Sequence, residues 1–338
     1  MKCLKCIKCT RLALLAVATW LLASMGVAGD PHLLIVSGLS GEPRLGDTFH
    51  EWAAALKDAA RERYGLPASH VVFLAEKPER DPARIDGVSS RERVRKELAG
   101  IADRSVGGDL VMVVLIGHGS FQGDEARFNL PGPDMTPADF AEAIAPLAGR
   151  QIAFVNAASA SGDFVKVLAG KDRVVVTATR SGMERNETVF GRYFVEAFTG
   201  EAADSDKDEQ VSLLEAFDYA RRETSRFYDE KKRLATEHAL LEDDGDGVGV
   251  PQPGAETGDG ALARRLKLAL VSGGARAATA DVAQGGVHAE KRALEARIEA
   301  LKARKDKMEP EAYARELEAL LLELARKSQA VREKDGPK

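Results

Sequence analysis

What most constrains this chain is an alternation: short, uninterrupted apolar runs separated by longer stretches with helical spacing. The runs are His32 to Gly38, Val71 to Leu74, Leu110 to Ile116, Ile152 to Val155 and Val174 to Ala178. Each is too brief for a helix, and apolarity that is continuous rather than alternating implies burial on both faces. Between and after them lie helical stretches at Phe49 to Tyr64, Ser89 to Arg104, a segment opening at Thr136-Pro137, Val189 to Phe198, and Ser212 to Tyr228. The second carries a capping-box pattern, Ser89…Glu92, ahead of an apolar stripe of Val94, Leu98 and Ile101. Thr136-Pro137 sets a cap before a proline in the first helical position. Strand and helix alternating in this way predict an α/β fold, a doubly wound and mostly parallel sheet over residues 30–242.

Beyond this domain the pattern changes. Residues 243–287 are rich in Gly, Pro and Ala and read as a loose linker with one short helical candidate, Ala261 to Leu270. Residues 288–334 carry Leu294, Ile298 and Leu301, then Tyr313, Leu317, Leu320, Leu321 and Leu324, at helical spacing among dense charges. Neither stripe is stable alone in water. The tail is therefore expected to fold as an amphipathic α-helical hairpin, or to pair as a coiled coil with a second copy or another protein.

The N-terminus bounds both location and chemistry. Lys2, Lys5, Lys8 and Arg11 precede an apolar run from Leu12 to Ala23, and Val27-Ala28-Gly29 offers a small-residue cleavage point. Residues 1–29 thus read as a signal peptide, giving an exported protein in the periplasm or outside the cell. Retention as an uncleaved N-terminal anchor is the alternative, because the run approaches span length. Cys3, Cys6 and Cys9 are the only cysteines and all precede the apolar run. No cysteine follows the run to accept a lipid, and the domain beyond it has no disulfide, thiolate ligand or thiol nucleophile. The net charge is −5 for the whole chain and −9 without residues 1–29, so no basic excess marks a nucleic-acid partner.

In a parallel sheet the functional crevice lies beyond the carboxyl ends of the strands. Two ends stand out: Gly117-His118-Gly119-Ser120 after the most apolar run, and Asn156-Ala157-Ala158-Ser159-Ala160-Ser161-Gly162 after the fourth. If these strands are neighbours, His118 and a hydroxyl approach each other, with glycine backbone N–H groups beside them for an oxyanion. His32, His50, His70, His238 and His288 have no metal-ligand spacing and read as surface or packing residues. No Gly-x-Ser-x-Gly elbow and no phosphate-cradling glycine motif occurs.

A strand ending in His-Gly, followed about forty residues later by a strand ending in Ala-Cys-x-Ser-Gly, is the signature of legumain and caspase-type cysteine peptidases. This chain resembles that family, with His118-Gly119 at the first element and Ala158-Ser159-Ala160-Ser161-Gly162 at the second. Ser159 stands where the family's nucleophilic cysteine would be. Thr179-Arg180-Ser181-Gly182, with Thr188 to Phe194, also resembles the segment bordering the substrate cleft in bacterial legumain-like proteins. The resemblance covers roughly residues 30–250. It implies a caspase-like fold, a peptide or protein in the cleft, catalytic positions at His118, Gly119 and Ser159, and substrate contacts at Arg180 and Ser181. The family's asparagine that assists the histidine has no clear match near Ser37 and Gly38.

The change from thiol to alcohol alters what such a site can do. A thiol near pKa 8.5 is partly ionised at neutral pH, whereas a serine hydroxyl attacks only if a base takes its proton. The expected function is therefore a non-catalytic binding or scaffolding module. The alternative is a hydrolase in which Ser159 attacks, His118 moves the proton and the Gly119 N–H holds the oxyanion. Ser161 is a second candidate for the matching position.

No cofactor is required by this chemistry, but an acidic loop suggests calcium. Asp204, Asp206, Asp208, Ser212 and Glu215 fall at oxygen-ligand positions of an EF-hand loop, although Glu209 replaces its glycine. A calcium-responsive interaction protein is thus a third reading. Asp243-Asp244-Gly245-Asp246-Gly247 has similar ligand types without a fixed register and reads as a flexible acidic linker.

Overall fold

The computed structural model describes residues 29–254, 258–268, 297–298, 301 and 310–334. Residues 1–28 of the expected leader, residues 255–257 and 269–287 of the expected linker and most of the first tail helix lie outside them, as does His288. The chain divides into two units, Met1–Val271 and Ser272–Lys338.

The first unit is built on a mixed, mostly parallel sheet. Its strands are β1 (Pro31–Ser37), β2 (Val71–Ala75), β3 (Gly87–Val88), β4 (Leu110–Ile116), β7 (Gln151–Asn156), β8 (Arg173–Thr177) and β9 (Leu240–Glu242), with a separate hairpin of β5 (Gly119–Gln122) and β6 (Glu125–Phe128). The order is β3-β2-β1-β4-β7-β8-β9, and only β9 runs antiparallel to its neighbour. All five expected strands are present within a residue or two of their expected ends. The reason for their continuous apolarity is visible in the packing. Leu33 and Ile35 of β1 join one core with Met112 and Val114 of β4, while Leu34 and Val36 join another with Val111 and Val113. Helices α1 (Pro43–Glu62), α5 (Phe190–Thr199) and α6 (Leu213–Glu230) feed the first core; α2 (Arg91–Arg104), α3 (Pro137–Ile144) and α4 (Phe164–Leu168) feed the second. The sheet is thus covered on both faces.

Several local expectations shift. Ser90, not Ser89, caps α2 by accepting the Arg93 N–H, whereas Ser89 is buried and its hydroxyl donates to the Ser37 carbonyl at 2.7 Å. Thr136 and Ser212 cap α3 and α6 through complete capping boxes with Asp139 and Glu215. The described residues of the expected linker, 243–254 and 258–268, are a packed continuation of the domain. Leu262, Ala263, Leu266 and Leu268 enter the first core, and the Asp243 carboxylate accepts the N–H groups of Gly260 and Ala263 at 2.8 and 2.7 Å. Side-chain-to-backbone bonds of this kind order a Gly- and Pro-rich stretch that composition alone marks as loose. Ala261–Arg265 forms turns rather than the expected helix.

In the second unit, α7 (Pro310–Lys334) buries Leu320 with Ile298 and Leu301, flanked by Tyr313, Leu317 and Leu324. Among the described residues, no helix is long and apolar enough to cross a membrane.

One buried group gives the domain a pH dependence. His32 in β1 is 1% exposed, its ring stacks on His70 at 4.1 Å, and its Nε2 lies 3.8 Å from the Asp109 carboxylate. Burial above all, then the charges of His70 and Arg104, push its pKa from 6.5 down to about 4, with Asp109 opposing. The unfolded chain takes up the proton first on acidification, so the stabilisation is complete above the unfolded value and is lost as pH falls toward the folded one. Across that window the loss is about 3 kcal/mol. Calorimetric melts between about pH 7 and pH 4 should show this fall, and His32→Phe should flatten it; an unchanged slope in the variant would refute the assignment.

Candidate functional site

The strand order turns around between β1 and β4, because the chain runs outward from β1 through β2 and β3 before crossing to β4. Such a switch point opens a crevice at the carboxyl ends of the strands. Gly117 and His118 leave β4 there, and Leu115 of β4 pairs with Asn156 of β7, so the two strand ends singled out in the sequence are adjacent. Asn156 starts the turn by accepting the Ala158 N–H with its side-chain oxygen at 3.1 Å, which sends the chain sharply over the end of the sheet.

Ser159 and Gly119 meet directly. The Ser159 hydroxyl accepts the Gly119 N–H at 3.2 Å and donates to the Gly119 carbonyl at 3.1 Å, and Ser159 is only 2% exposed. His118 is half-buried and its ring meets Phe49 of α1 edge-on, centroids 5.2 Å apart. Among the described residues, no hydrogen bond joins the His118 ring to Ser159. The serine hydroxyl is therefore bonded to a peptide group, not to a base.

Ser161 is accounted for by structure. Its hydroxyl lies 3.1 Å from that of Thr179 and accepts the Thr179 N–H at 3.2 Å, so it fastens the Ser159 turn to the segment after β8. That segment contains Arg180 and Ser181, which the fold brings against the turn: a Cβ on Gly162 would stand 2.1 Å from the Arg180 carbonyl carbon and 2.2 Å from the Ser181 nitrogen. Ala160 has φ +52, a left-handed conformation costing a non-glycine residue roughly 1–2 kcal/mol, and its N–H donates to the Glu184 carbonyl at 2.7 Å. Strain of this size held in place by neighbours is common at functional sites.

The rim was only partly visible in the sequence. Phe121 of β5 lies against Gly182, where a Cβ would be 2.1 Å from its ring, and the Arg185 guanidinium sits 5.6 Å above it. Met183 beside them is 67% exposed. Glu184 gathers this segment: its carboxylate takes the Arg180 side chain at 3.0 Å, the Arg180 N–H at 3.1 Å and His238 Nδ1 at 2.6 Å. No periodicity in the β5–β6 hairpin marks Phe121, because its neighbour is 61 residues away along the chain. The crevice beside the rim, lined by Ser37, Gly38, Ser40, His50, Glu76 and Arg80, encloses about 20 Å³. That is room for about one water, whereas a second cavity, lined by Arg221, Thr224, Ala235, Glu237, His238 and Pro251, encloses about 190 Å³.

The acidic loop assembles in part. One carboxylate oxygen from each of Asp204, Asp206 and Asp208 falls within 4.8 Å of the others. Ser212 and Glu215 are committed elsewhere: Glu215 Oε2 takes the Ser212 N–H and hydroxyl at 2.9 and 2.8 Å, and Oε1 takes the Ser205 N–H at 2.9 Å. Lys267 forms an ion pair with Asp208. The cap of α6 and a lysine thus occupy much of what the EF-hand spacing offered to calcium.

No family model matches this chain, and no curated protein matches it.

Proposed function

We propose that the first unit is a legumain/caspase-type peptidase fold without peptidase turnover, which binds a peptide or protein segment along the rim beside Ser159. The observation that carries this reading is the bonding of the Ser159 hydroxyl. It donates to a carbonyl oxygen, which is no base, and the Gly119 N–H that an oxyanion would need is taken by the same hydroxyl. The adjacency of the His118 and Ser159 strand ends supports the family resemblance. The exposed Met183 and the Arg185–Phe121 stack give the rim apolar and cationic faces suited to an extended peptide. The reading includes export directed by residues 1–29. It also includes a C-terminal helical hairpin, supported by the Ile298–Leu301–Leu320 cluster, that holds a second copy or a partner protein.

The test is chemical. Wild-type protein should not react with a fluorophosphonate probe, and Ser159→Cys should gain cleavage of unfolded peptide substrates, since a thiol near pKa 8.5 is partly ionised at neutral pH where a serine hydroxyl is not. Wild-type labelling that disappears in Ser159→Ala would instead establish the serine hydrolase. Binding is read separately: an immobilised peptide library should retain wild type, release Met183→Asp and remain uncut, and failure to retain wild type on any peptide counts against the module.

A further inference from the structure

The segment expected to be a flexible acidic linker is an ordered loop at the end of β9. Glu242, Asp244 and Asp246 each present a carboxylate oxygen within 4.8 Å of the other two. One oxygen of each is already used to shape the loop. Glu242 Oε1 accepts the Gly245 N–H at 2.6 Å, Asp244 Oδ1 the Asp246 N–H at 3.0 Å, and Asp246 Oδ1 the Val248 N–H at 2.6 Å. The second oxygen of Glu242 is the telling group. Glu242 is 0% exposed, and its Oε2 is buried with no hydrogen-bond partner. A buried carboxylate oxygen without a donor, on a side chain whose carboxylate clusters with two more, is costly unless a cation completes it.

The two acidic loops differ in this respect. Lys267 already pairs with Asp208 in the 204–208 loop, whereas among the described residues no lysine, arginine or histidine pairs with Glu242, Asp244 or Asp246. The spacing also matches an oxygen-ligand loop. Glu242, Asp244 and Asp246 fall at its first, third and fifth positions, and Gly247 falls at the sixth, where the sharp turn demands glycine, with φ +77. The twelfth position is Pro253, so the usual bidentate glutamate is missing.

We propose that Glu242, Asp244 and Asp246 bind a divalent cation of the calcium class. Its affinity should be that of weak extracellular modules, Kd about 10⁻⁴ to 10⁻³ M, because the last ligand is absent. The cation would lock the carboxyl end of β9, whose preceding residues Glu237 and His238 hold the start of α5 and Glu184 at the candidate rim. The site does not depend on what the rim binds.

Equilibrium dialysis with radioactive calcium and thermal melts of the full chain test this. Calcium chloride at about 10 mM should raise the melting midpoint by about 5 °C over sodium chloride of equal ionic strength. Asp206→Asn should keep both the binding and the shift. Asp246→Ala, an exposed change that leaves the core intact and removes the ligand oxygen, should lose both, as should Glu242→Gln if that buried variant folds. No calcium binding by folded wild type, or a shift that survives Asp246→Ala and vanishes in Asp206→Asn, would overturn the proposal.

Discussion

Gly119→Ala and Gly162→Ala are each expected to cost about 4 kcal/mol or more, a fall in melting midpoint on the order of 10 °C. A Cβ on Gly119 would stand 2.1 Å from the Ser159 carbonyl oxygen and 3.0 Å from that of Arg127. One on Gly162 would meet the Arg180–Ser181 peptide at 2.1 and 2.2 Å. Both obstacles are backbone, which cannot rotate aside as a side chain can, so the turn or its neighbours must move. Gly132→Ala is the contrast. Its φ is +89 but a Cβ there meets nothing within 4 Å, so only backbone strain of about 1 kcal/mol is expected. Denaturant melts of the three variants separate crowding from strain, and three equal losses would show that the strand-end loops are not closely packed.

Glu237→Ala should cost about as much, on the order of 4 kcal/mol, from a residue that belongs to no catalytic proposal. Glu237 is 4% exposed, and its carboxylate accepts the Val189 and Phe190 N–H groups at 2.8 and 3.1 Å and the Tyr228 hydroxyl at 2.9 Å. It therefore caps α5 from outside the helix, a service that no side chain of the α5 N-cap itself provides. Removing it leaves two N–H groups at a largely buried helix start without acceptors, which is worse than losing the bonds alone. Glu237→Gln, which keeps one acceptor oxygen, should recover part of the loss in the same melts. If Glu237→Ala melts like wild type, the α5 start finds other partners or water.

Burial keeps Glu237 inexpensive to protonate, its carboxyl lying above the usual range despite the three donors. Its contribution is thus opposite in sign to that of His32: it is present below the unfolded carboxyl pKa and lost as pH rises through the folded one. Acid melts of His32→Phe isolate this counter-trend.

How much of this was legible in the chain varies with the range of the interaction. Strands β1, β2, β4, β7 and β8 could be read directly, because a run such as Leu110 to Ile116 has no polar face to show to water. The cap at Thr136 could be read as well, since its partner Asp139 lies three residues on, whereas the Ser89…Glu92 spacing pointed one residue away from the true cap, Ser90. Strand β9 could not: Leu240–Glu242 is three residues long, and its place depends on pairing with Val175–Thr177, more than sixty residues earlier. The packing of residues 243–254 and 258–268 could not be read because it comes from Asp243 and Asp259 bonding to backbone N–H groups 16 to 20 residues away.

The candidate site divides along the same line. The sequence by itself determined that His118 and Ser159 follow two buried strands, that the domain has no thiol, and that the strands form a sheet covered on both sides. Side-chain polarity and local spacing suffice for those conclusions, because burial and helix capping are decided within a few residues. Only the tertiary structure decided that the Ser159 hydroxyl turns to the Gly119 peptide, that Phe49 packs edge-to-face with His118, and that Glu242, with one unpaired oxygen, clusters with Asp244 and Asp246. A hydrogen bond needs its atoms within about 3 Å, and for groups forty residues apart that distance is set by how the layers pack.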